Sequence, residues 1–407
     1  MLGEYFKIAI GNLLHRKMRS WLTMIGIFIG IAAVVALISL GQGLQSAIEK
    51  EFEAMGSDTL IIQPRNQFGP PGSRIPNPLT VDDLEEVEKT KGVVLAAPML
   101  FGNGEIEFND KIGYYYVMGL PTDDREKLDF IIGASNYDVD MGRQLKKGDK
   151  YKAVLGIHYR IKNLFDKKVS INDKILVNGK EFEVIGFWES IGNPNDDRAV
   201  TIPEDAFREI YNEYERVDYI FARVSAGSNP SEVADEAEKN LRKFRNEEEG
   251  DETFIVQTPE ELLKTYGTIL TVVQAVLVGI AAISLVVGAV GIMNTMYTAV
   301  LERTKEIGIM KSIGAKNSAI QAIFLIESGL LGLAGGIIGV IIGIGLSKSV
   351  QFIAYQAWGT RLLSAAVPLW LVLGALAFSF LLGMLSGFLP ARHASLQNPV
   401  DSLQYEK

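Results

Sequence analysis

The sequence predicts an α-helical membrane protein, in which four transmembrane helices carry a large α+β domain outside the membrane. Three observations predict it. First, residues 20–48, 265–301, 328–347 and 362–391 contain no Asp, Glu, Lys or Arg, in a chain that is 22% charged overall. Each run reaches or exceeds the ~20 apolar residues that a helix needs to cross ~30 Å of hydrocarbon. Second, residues 43–265 have the mixed composition of a soluble domain and hold 43 acidic against 28 basic residues. Third, basic residues gather at particular span ends: Lys7, Arg16, Lys17 and Arg19 before the first span, and Arg303, Lys305, Lys311 and Lys316 between the second and third. Only Lys348 and Arg361 stand between the third and fourth. Basic flanks stay on the cytoplasmic side, so both termini and the loop at 302–316 are expected in the cytoplasm and the large domain outside, in a cell-membrane protein.

Taken in order, residues 1–20 show apolar positions at helical spacing (Phe6, Ile10, Leu13, Leu14) with basic residues on the remaining face. They read as an interfacial amphipathic helix on the inner leaflet, a basic tail being the alternative. The first span, 21–42, is too long for a cleaved signal peptide and reads as an uncleaved anchor. The second span is placed at 268–299. Its 37 charge-free residues would reach about 55 Å as helix, well beyond the bilayer core, and tilt absorbs only part of the excess. Either spans one and two continue outward as a stalk, the first through "GLQSAIEKEFEAMG" to a stop at Gly56, or they are buried in a bundle. Spans three and four are placed at 320–346 and 366–389, followed by a cytoplasmic tail at 390–407.

Residues 43–264 form the outer domain with its stalk ends. "TLIIQP" reads as a strand, followed by the Pro/Gly-rich loop "RNQFGPPGSRIPNP". Thr80 is placed to cap a helix over 81–89. "VVLAAPML" and "IGYYYVMGL" read as strands, and "KILVNGKEFEVIGFWE" as a hairpin about Asn178-Gly179. A strand at 219–224, a helix after Asn229-Pro230 and a strand at 253–257 complete the domain. Strand–helix–strand patterns thus lie at both ends, and residues 118–201 read as an insertion. Two subdomains are expected, one containing βαβ units and one inserted and β-rich.

The chemistry is mostly exclusion. Cysteine is absent, which removes disulfides, thiol catalysis and Cys-type metal sites. The acidic domain lacks the basic patches that nucleic acid requires. His15, His158 and His393 fall in separate regions without metal-ligand spacing. "GIGLSKS" does not match the phosphate-loop pattern, so no catalytic residue, metal or cofactor is expected on this chain. Spans nearly free of polar residues argue against a secondary transporter. Glycines four apart stand in three spans: Gly26 and Gly30; Gly332, Gly336, Gly339 and Gly343; Gly383 and Gly387. Such pairs allow close helix approach, either within the chain or at a dimer seam. Glu327 is the single acidic residue inside a span; it is a functional group or a snorkelling or capping one.

Between spans two and three lies "ERTKEIGIMKSIGAK". As a helix it sets Ile307, Met310 and Ile313 or Gly314 along one side and Arg303, Lys305 and Lys311 on others, with Gly314 as the stop. An apolar face on a short cytoplasmic helix calls for a partner to bury it.

Together with "NLLHRKMRSWLTMIGIFIGIAAVVALISLGQG" before it and "LPARHASLQNPVDSLQYE" after it, this stretch resembles the MacB/FtsX-type permease family of ATP-binding cassette (ABC) transporters, over nearly the whole chain. Two departures stand out: the macrolide exporters of the family carry an ATPase on the same chain, and His393 replaces a residue more often basic. The resemblance implies a homodimer of four-span subunits working with two copies of a separate ABC-type ATPase, which binds ATP and Mg. It makes 302–316 a coupling helix seated in a cleft of that ATPase, contacting it through Arg303, Glu306, Ile307, Gly308, Met310, Gly314 and Ala315. ATPase closure would be relayed along spans one and two to a porter-like outer domain, a mechanotransmission. The implied function is export or extraction of lipid, lipopeptide, peptide or drug-like cargo from outside or from the outer leaflet. The alternative is a signalling relay that activates an extracellular partner such as a cell-wall hydrolase. Membrane lipids and an extracytoplasmic adaptor complete the implied partners.

Overall fold

The structure, a computed structural model, describes residues 17–65, 77–358 and 363–398. Most of the expected interfacial helix, the Pro/Gly-rich stretch after Arg65 and the end of the tail lie outside these residues. In chain order the elements are α1 (Lys17–Met55), β1 (Thr59–Pro64), β2 (Leu79–Thr80), α2 (Val81–Glu88), β3 (Val93–Phe108), β4 (Lys111–Leu120), α3 (Arg125–Ala134), β5 (Val139–Gly142), β6 (Lys152–Leu155) and α4 (His158–Ile161). There follow β7 (Lys174–Val177), β8 (Lys180–Trp188), β9 (Val200–Pro203), α5 (Glu204–Tyr211), β10 (Arg216–Val217), β11 (Tyr219–Val224), α6 (Pro230–Phe244) and β12 (Phe254–Gln257). The last helices are α7 (Pro259–Glu302), α8 (Thr304–Ser312), α9 (Asn317–Trp358) and α10 (Leu369–Ser395). They divide into two compact units, one of Met1–Gln45, Ile269–Ile353 and Leu363–Lys407, the other of Ser46–Thr268 and Ala354–Leu362.

Four helices among the described residues are long and apolar enough to cross a membrane. Three exceed what crossing needs, among them α9 at 42 residues. α1 runs 39 residues and stops where Gly56 adopts φ +88°, a conformation that glycine enters without cost. α7 runs 44 residues, about 66 Å at the usual rise. Its start is specified locally in "TPEE": Thr258 Oγ1 accepts from the Glu261 amide, Glu261 Oε2 accepts from the Thr258 amide, and proline stands at the first helical position.

In the membrane unit the small residues are used within the chain. A Cβ on Gly26 would lie 2.6 Å from Gly288 Cα, so α1 and α7 cross backbone to backbone there. A Cβ on Gly332 would lie 2.2 Å from the Ser379 carbonyl oxygen, and one on Gly383 2.4 Å from that of Ser328. Gly336 faces Ser379 and Gly387 faces Ser328 across the same α9–α10 crossing. Gly339 and Gly343 receive Ile31 and Val35 of α1, and Gly30 receives Leu285. Each of these glycines thus has a neighbour on another helix of the same chain. Ile27, Ile31, Val35, Ile292, Met296, Phe324 and Leu331 fill the core between the helices.

In the outer unit, β1 pairs antiparallel with both β11 and β12, and β11 with β3. The paths β1–α2–β3 and β11–α6–β12 therefore each return parallel with one strand left between. Alternation along β1 sorts its side chains: Leu60 and Ile62 join the core beneath α2 and α6, whereas Ile61 joins the opposite core with Phe221, Leu128 and Ile131. Thr80 caps α2 in a box with Asp83, and Asn229 caps α6 with Pro230 at its first position. The Asp83 carboxylate also accepts from Arg245 Nη1 at 2.6 Å, tying the start of α2 to the residue after α6.

The sixteen-residue β3 extends well beyond the stretch that the sequence marks as strand. Its first half pairs with β11 and its second half with β4. The Tyr211 ring lies over Gly102, and its hydroxyl and Val117 close over Gly104, filling the space that side chains would take. A turn at Asn109-Asp110, both at positive φ, reverses the chain into β4. Asn178 and Gly179 likewise take positive φ and join β7 antiparallel to β8, as the sequence predicts. β4 to β9 extend the same hydrogen-bonded sheet, in the order β12-β1-β11-β3-β4-β9-β6-β8-β5, with β7 pairing β3 and β8.

His158 is 2% exposed. Burial, then the charges of Lys162 and Arg198, pull its pKa from 6.5 down to about 4. The folded chain thus resists a proton that the unfolded chain accepts near pH 6.5. Its contribution to stability is complete above that pH and declines as pH falls toward 4. Thermal unfolding of the full chain should therefore worsen from about pH 7 to pH 5 more steeply in the wild type than in His158→Gln.

Candidate functional site

The segment between spans two and three is a separate helix. α7 ends at Glu302, Arg303 leaves helical geometry at φ −107° and ψ 18°, and α8 begins at Thr304, whose hydroxyl donates to the Leu301 carbonyl at 2.9 Å. Nine residues later the chain closes α8 with paired bonds. The Gly314 amide donates to the Lys311 carbonyl and the Ala315 amide to that of Met310, both at 3.0 Å, with Gly314 at φ +95°. This is the Schellman arrangement, in which only glycine is free of strain and an apolar contact spans the stop. Met310 and Ala315 both pack against the membrane core, so they serve that stop.

The residues that the resemblance implies as one partner-contacting set divide between inside and outside. Ile307 is fully buried among Ile320, Phe324 and their neighbours, and Gly308 is buried beside it. Arg303 turns inward: its Nη1 donates to Glu327 Oε2 at 2.9 Å, with the two side chains 11% and 7% exposed. Lys311 Nζ donates to the carbonyls of Ser395 and Gln397, at 2.7 Å each. Met310 and Ala315 are half-buried, leaving Glu306 and Gly314 exposed.

Two apolar residues complete the exposed side, Ile309 at 50% and Ile313 at 81% exposure, bordered by Lys305, Glu306, Ser312 and Lys316. Sequence periodicity does not single out Ile309, and it offers Ile313 only as an alternative to Gly314. The signal that finds them is the i, i+4 spacing of Ile309 and Ile313. It is masked because Ile307 and Met310 present an equally regular stripe that the fold uses internally. Beside this side lies a recess of about 320 Å³ whose walls include Glu306, Ile309, Met310, Ile323 and Phe324. Among the described residues no group of His, Asp or Glu is gathered so as to hold a metal ion. The site is a small, rigidly mounted apolar surface with a charged rim.

Comparisons with known proteins bear on both units. Residues 20–240 match the MacB-like periplasmic core domain, and residues 278–399 match the FtsX-like permease C-terminal family. The chain is 39% identical to an uncharacterized ABC transporter permease of Methanocaldococcus jannaschii, covering 100% of this chain and 98% of that one. It is 31% identical to the macrolide export ATP-binding/permease protein MacB of Neisseria gonorrhoeae, over 98% of this chain but 60% of that longer protein. To the uncharacterized ABC transporter permease YknZ of Bacillus subtilis it is 28% identical over the full length of both. Among solved structures, the periplasmic region of MacB from Actinobacillus actinomycetemcomitans aligns at 16% identity with a TM-score of 0.44, covering 54% of this chain and 97% of that one. With a large extracellular domain, membrane-spanning helices and both family regions in order, the chain belongs to the MacB/FtsX-type permease family of ABC transporters.

Proposed function

We propose that this permease is the homodimeric membrane subunit of an export or extraction system, and that α8 is its cytoplasmic coupling helix. A separate ATPase, in two copies binding ATP and Mg, seats on α8, and its closure is transmitted through spans one and two to the outer domain. Cargo of lipid, lipopeptide or peptide character is taken from outside or from the outer leaflet. The hydrocarbon-embedded parts are residues 21–42, 268–299, 320–346 and 366–389. The outer domain works as two subdomains that share β3, one built on the split βαβ units and one on the inserted strands.

The observation that carries this reading is the pair Ile309 and Ile313, exposed on a short helix whose other side is already committed to the chain's own core. Apolar side chains ringed by charge are the anatomy of a protein contact. In the chain α1 leads directly into β1 and α7 leaves directly from β12, which supports the relay.

Pull-down of the cognate ATPase with detergent-solubilised permease tests it. Ile313→Asp places a charge where a large apolar side chain would be buried, a change worth ~2–4 kcal/mol. Association should weaken roughly a hundredfold, at about 1.4 kcal/mol per tenfold. Lys316→Ala, which removes only a rim charge beyond the glycine stop, should weaken binding much less. Equal binding by wild type and Ile313→Asp would reduce α8 to a connecting segment.

A further inference from the structure

α8 is held at both ends by a cation that leaves the helix and reaches a different span. At its start, Arg303 pairs with Glu327, which lies on α9. At its end, Lys311 donates to the carbonyls of Ser395 and Gln397, where α10 finishes. Carbonyls in the last turn of a helix lack intrahelical partners and favour a cation, which explains the choice of lysine there. The first contact is of a different kind. A carboxylate so deep in an apolar helix bundle is costly unless it is paired and hydrogen-bonded. A guanidinium fits it better than an ammonium, because its donors are planar and fixed in direction.

We propose that these two contacts clamp α8 to spans three and four, and that Arg303 serves coupling through Glu327 instead of by touching the ATPase. The clamp addresses a mechanical weakness. α8 is bounded by a non-helical residue at Arg303 and by a left-handed glycine at Gly314. Both are natural hinges, and between them apolar packing of Ile307 against α9 seats the helix without fixing its ends. One tie would fix one end and leave the other to that packing alone. Two ties, eight residues and about 12 Å apart along the helix, fix both ends. Displacement of α8 then becomes displacement of α9 and α10, in addition to any carried by α7. Arg303 and Glu327 are thus positioning residues. The functional consequence rests on the docking reading above, whereas the clamp is a property of this chain alone.

The absence of cysteine makes the test direct. A single Ser312→Cys on exposed Ser312 takes a nitroxide label, and its electron paramagnetic resonance spectrum reports α8 mobility in the full, detergent-solubilised chain without any ATPase. Glu327→Gln and Arg303→Ala should each narrow the spectrum, and Lys311→Ala should narrow it by freeing the other end. The reversed pair, Arg303→Glu with Glu327→Arg, should return it toward the wild-type line shape. Unchanged spectra in folded Glu327→Gln and Arg303→Ala overturn the clamp. Should the single variants fail to fold, the reversed pair decides. Folding with the wild-type line shape upholds the clamp, and misfolding as severe as the single variants overturns it. A second arm measures ATPase pull-down, where loss of preorganisation should weaken binding roughly tenfold. If Ile313→Asp binds as wild type while the spectra behave as expected, the docking reading fails and the clamp stands.

Discussion

Gly332→Leu should abolish the folded membrane unit, read as loss of the monodisperse peak in size-exclusion chromatography of the detergent-solubilised chain. Its Cβ alone would lie 2.2 Å from the Ser379 carbonyl oxygen and 2.9 Å from Gly383 Cα, against an ordinary contact distance of about 3.5–4 Å. Both obstacles are backbone, so no rotamer relieves them. α9 and α10 would have to separate, opening the neighbouring contacts of Gly336 with Ser379 and of Gly387 with Ser328. Inside a membrane, close packing of this kind is what holds helices together, because lipid tails solvate an apolar surface as well as another helix does. The internal controls are Gly345→Leu and Gly374→Leu, on the same two helices, where an added Cβ would meet nothing within 4 Å. Those variants should remain folded. Equal behaviour of all three would mean that α9 and α10 cross elsewhere.

Asp83→Ala should be the most damaging single truncation of a polar group in the outer domain. Its carboxylate is 1% exposed; it accepts from the Thr80 amide and hydroxyl and from Arg245 Nη1. Removal breaks the capping box and leaves a largely buried guanidinium without that partner. Breaking a buried pair costs ~3–5 kcal/mol, whereas Thr80→Ala, which removes only the cap hydroxyl, should cost about 0.5–2 kcal/mol. For a domain of this size each kcal/mol moves the thermal midpoint by roughly 2–4 °C, so Asp83→Ala should fall by on the order of 10 °C and Thr80→Ala by a few degrees. Trp188, fully buried and donating to Thr201, reports the transition by fluorescence once Trp21, Trp358 and Trp370 are changed to Phe. Similar shifts for the two variants would show that the Arg245 contact contributes little.

Whether a feature is legible in the sequence depends on whether its cause is local. The spans are legible because charge segregation is a property of composition, and the hairpin at Asn178-Gly179, the cap at Thr80 and the helix start after Asn229-Pro230 because turn and cap chemistry acts between near neighbours. The second half of β3 escapes because Gly102 and Gly104 weaken the strand pattern, and the side chain that reaches both belongs to Tyr211, far along the chain. Asp83 and Arg245 lie 162 residues apart, beyond any spacing rule. At the candidate site, periodicity marks an apolar stripe through Ile307 and Met310, and the chain uses that stripe for its own core. The partner of Arg303 is illegible for the same reason: spacing shows which residues share a helix face, and not what faces them.

The placement of β1 also has a consequence for how the chain is made. β1 is synthesised at residues 59–64, yet both strands that flank it come much later, β11 at 219–224 and β12 at 254–257. About 160 residues must follow before its first neighbour exists, which at roughly 5–20 residues per second is on the order of ten seconds or more. Throughout that interval "TLIIQP" is tethered to a membrane anchor with both hydrogen-bonding edges vacant, the condition in which strands pair with the wrong chain. Long-range pairing of this kind also makes the sheet slow to form. The period of greatest hazard for this permease therefore precedes its completion, and variants that delay β11 or β12 should lower its yield through aggregation at the membrane while leaving the stability of the finished molecule intact.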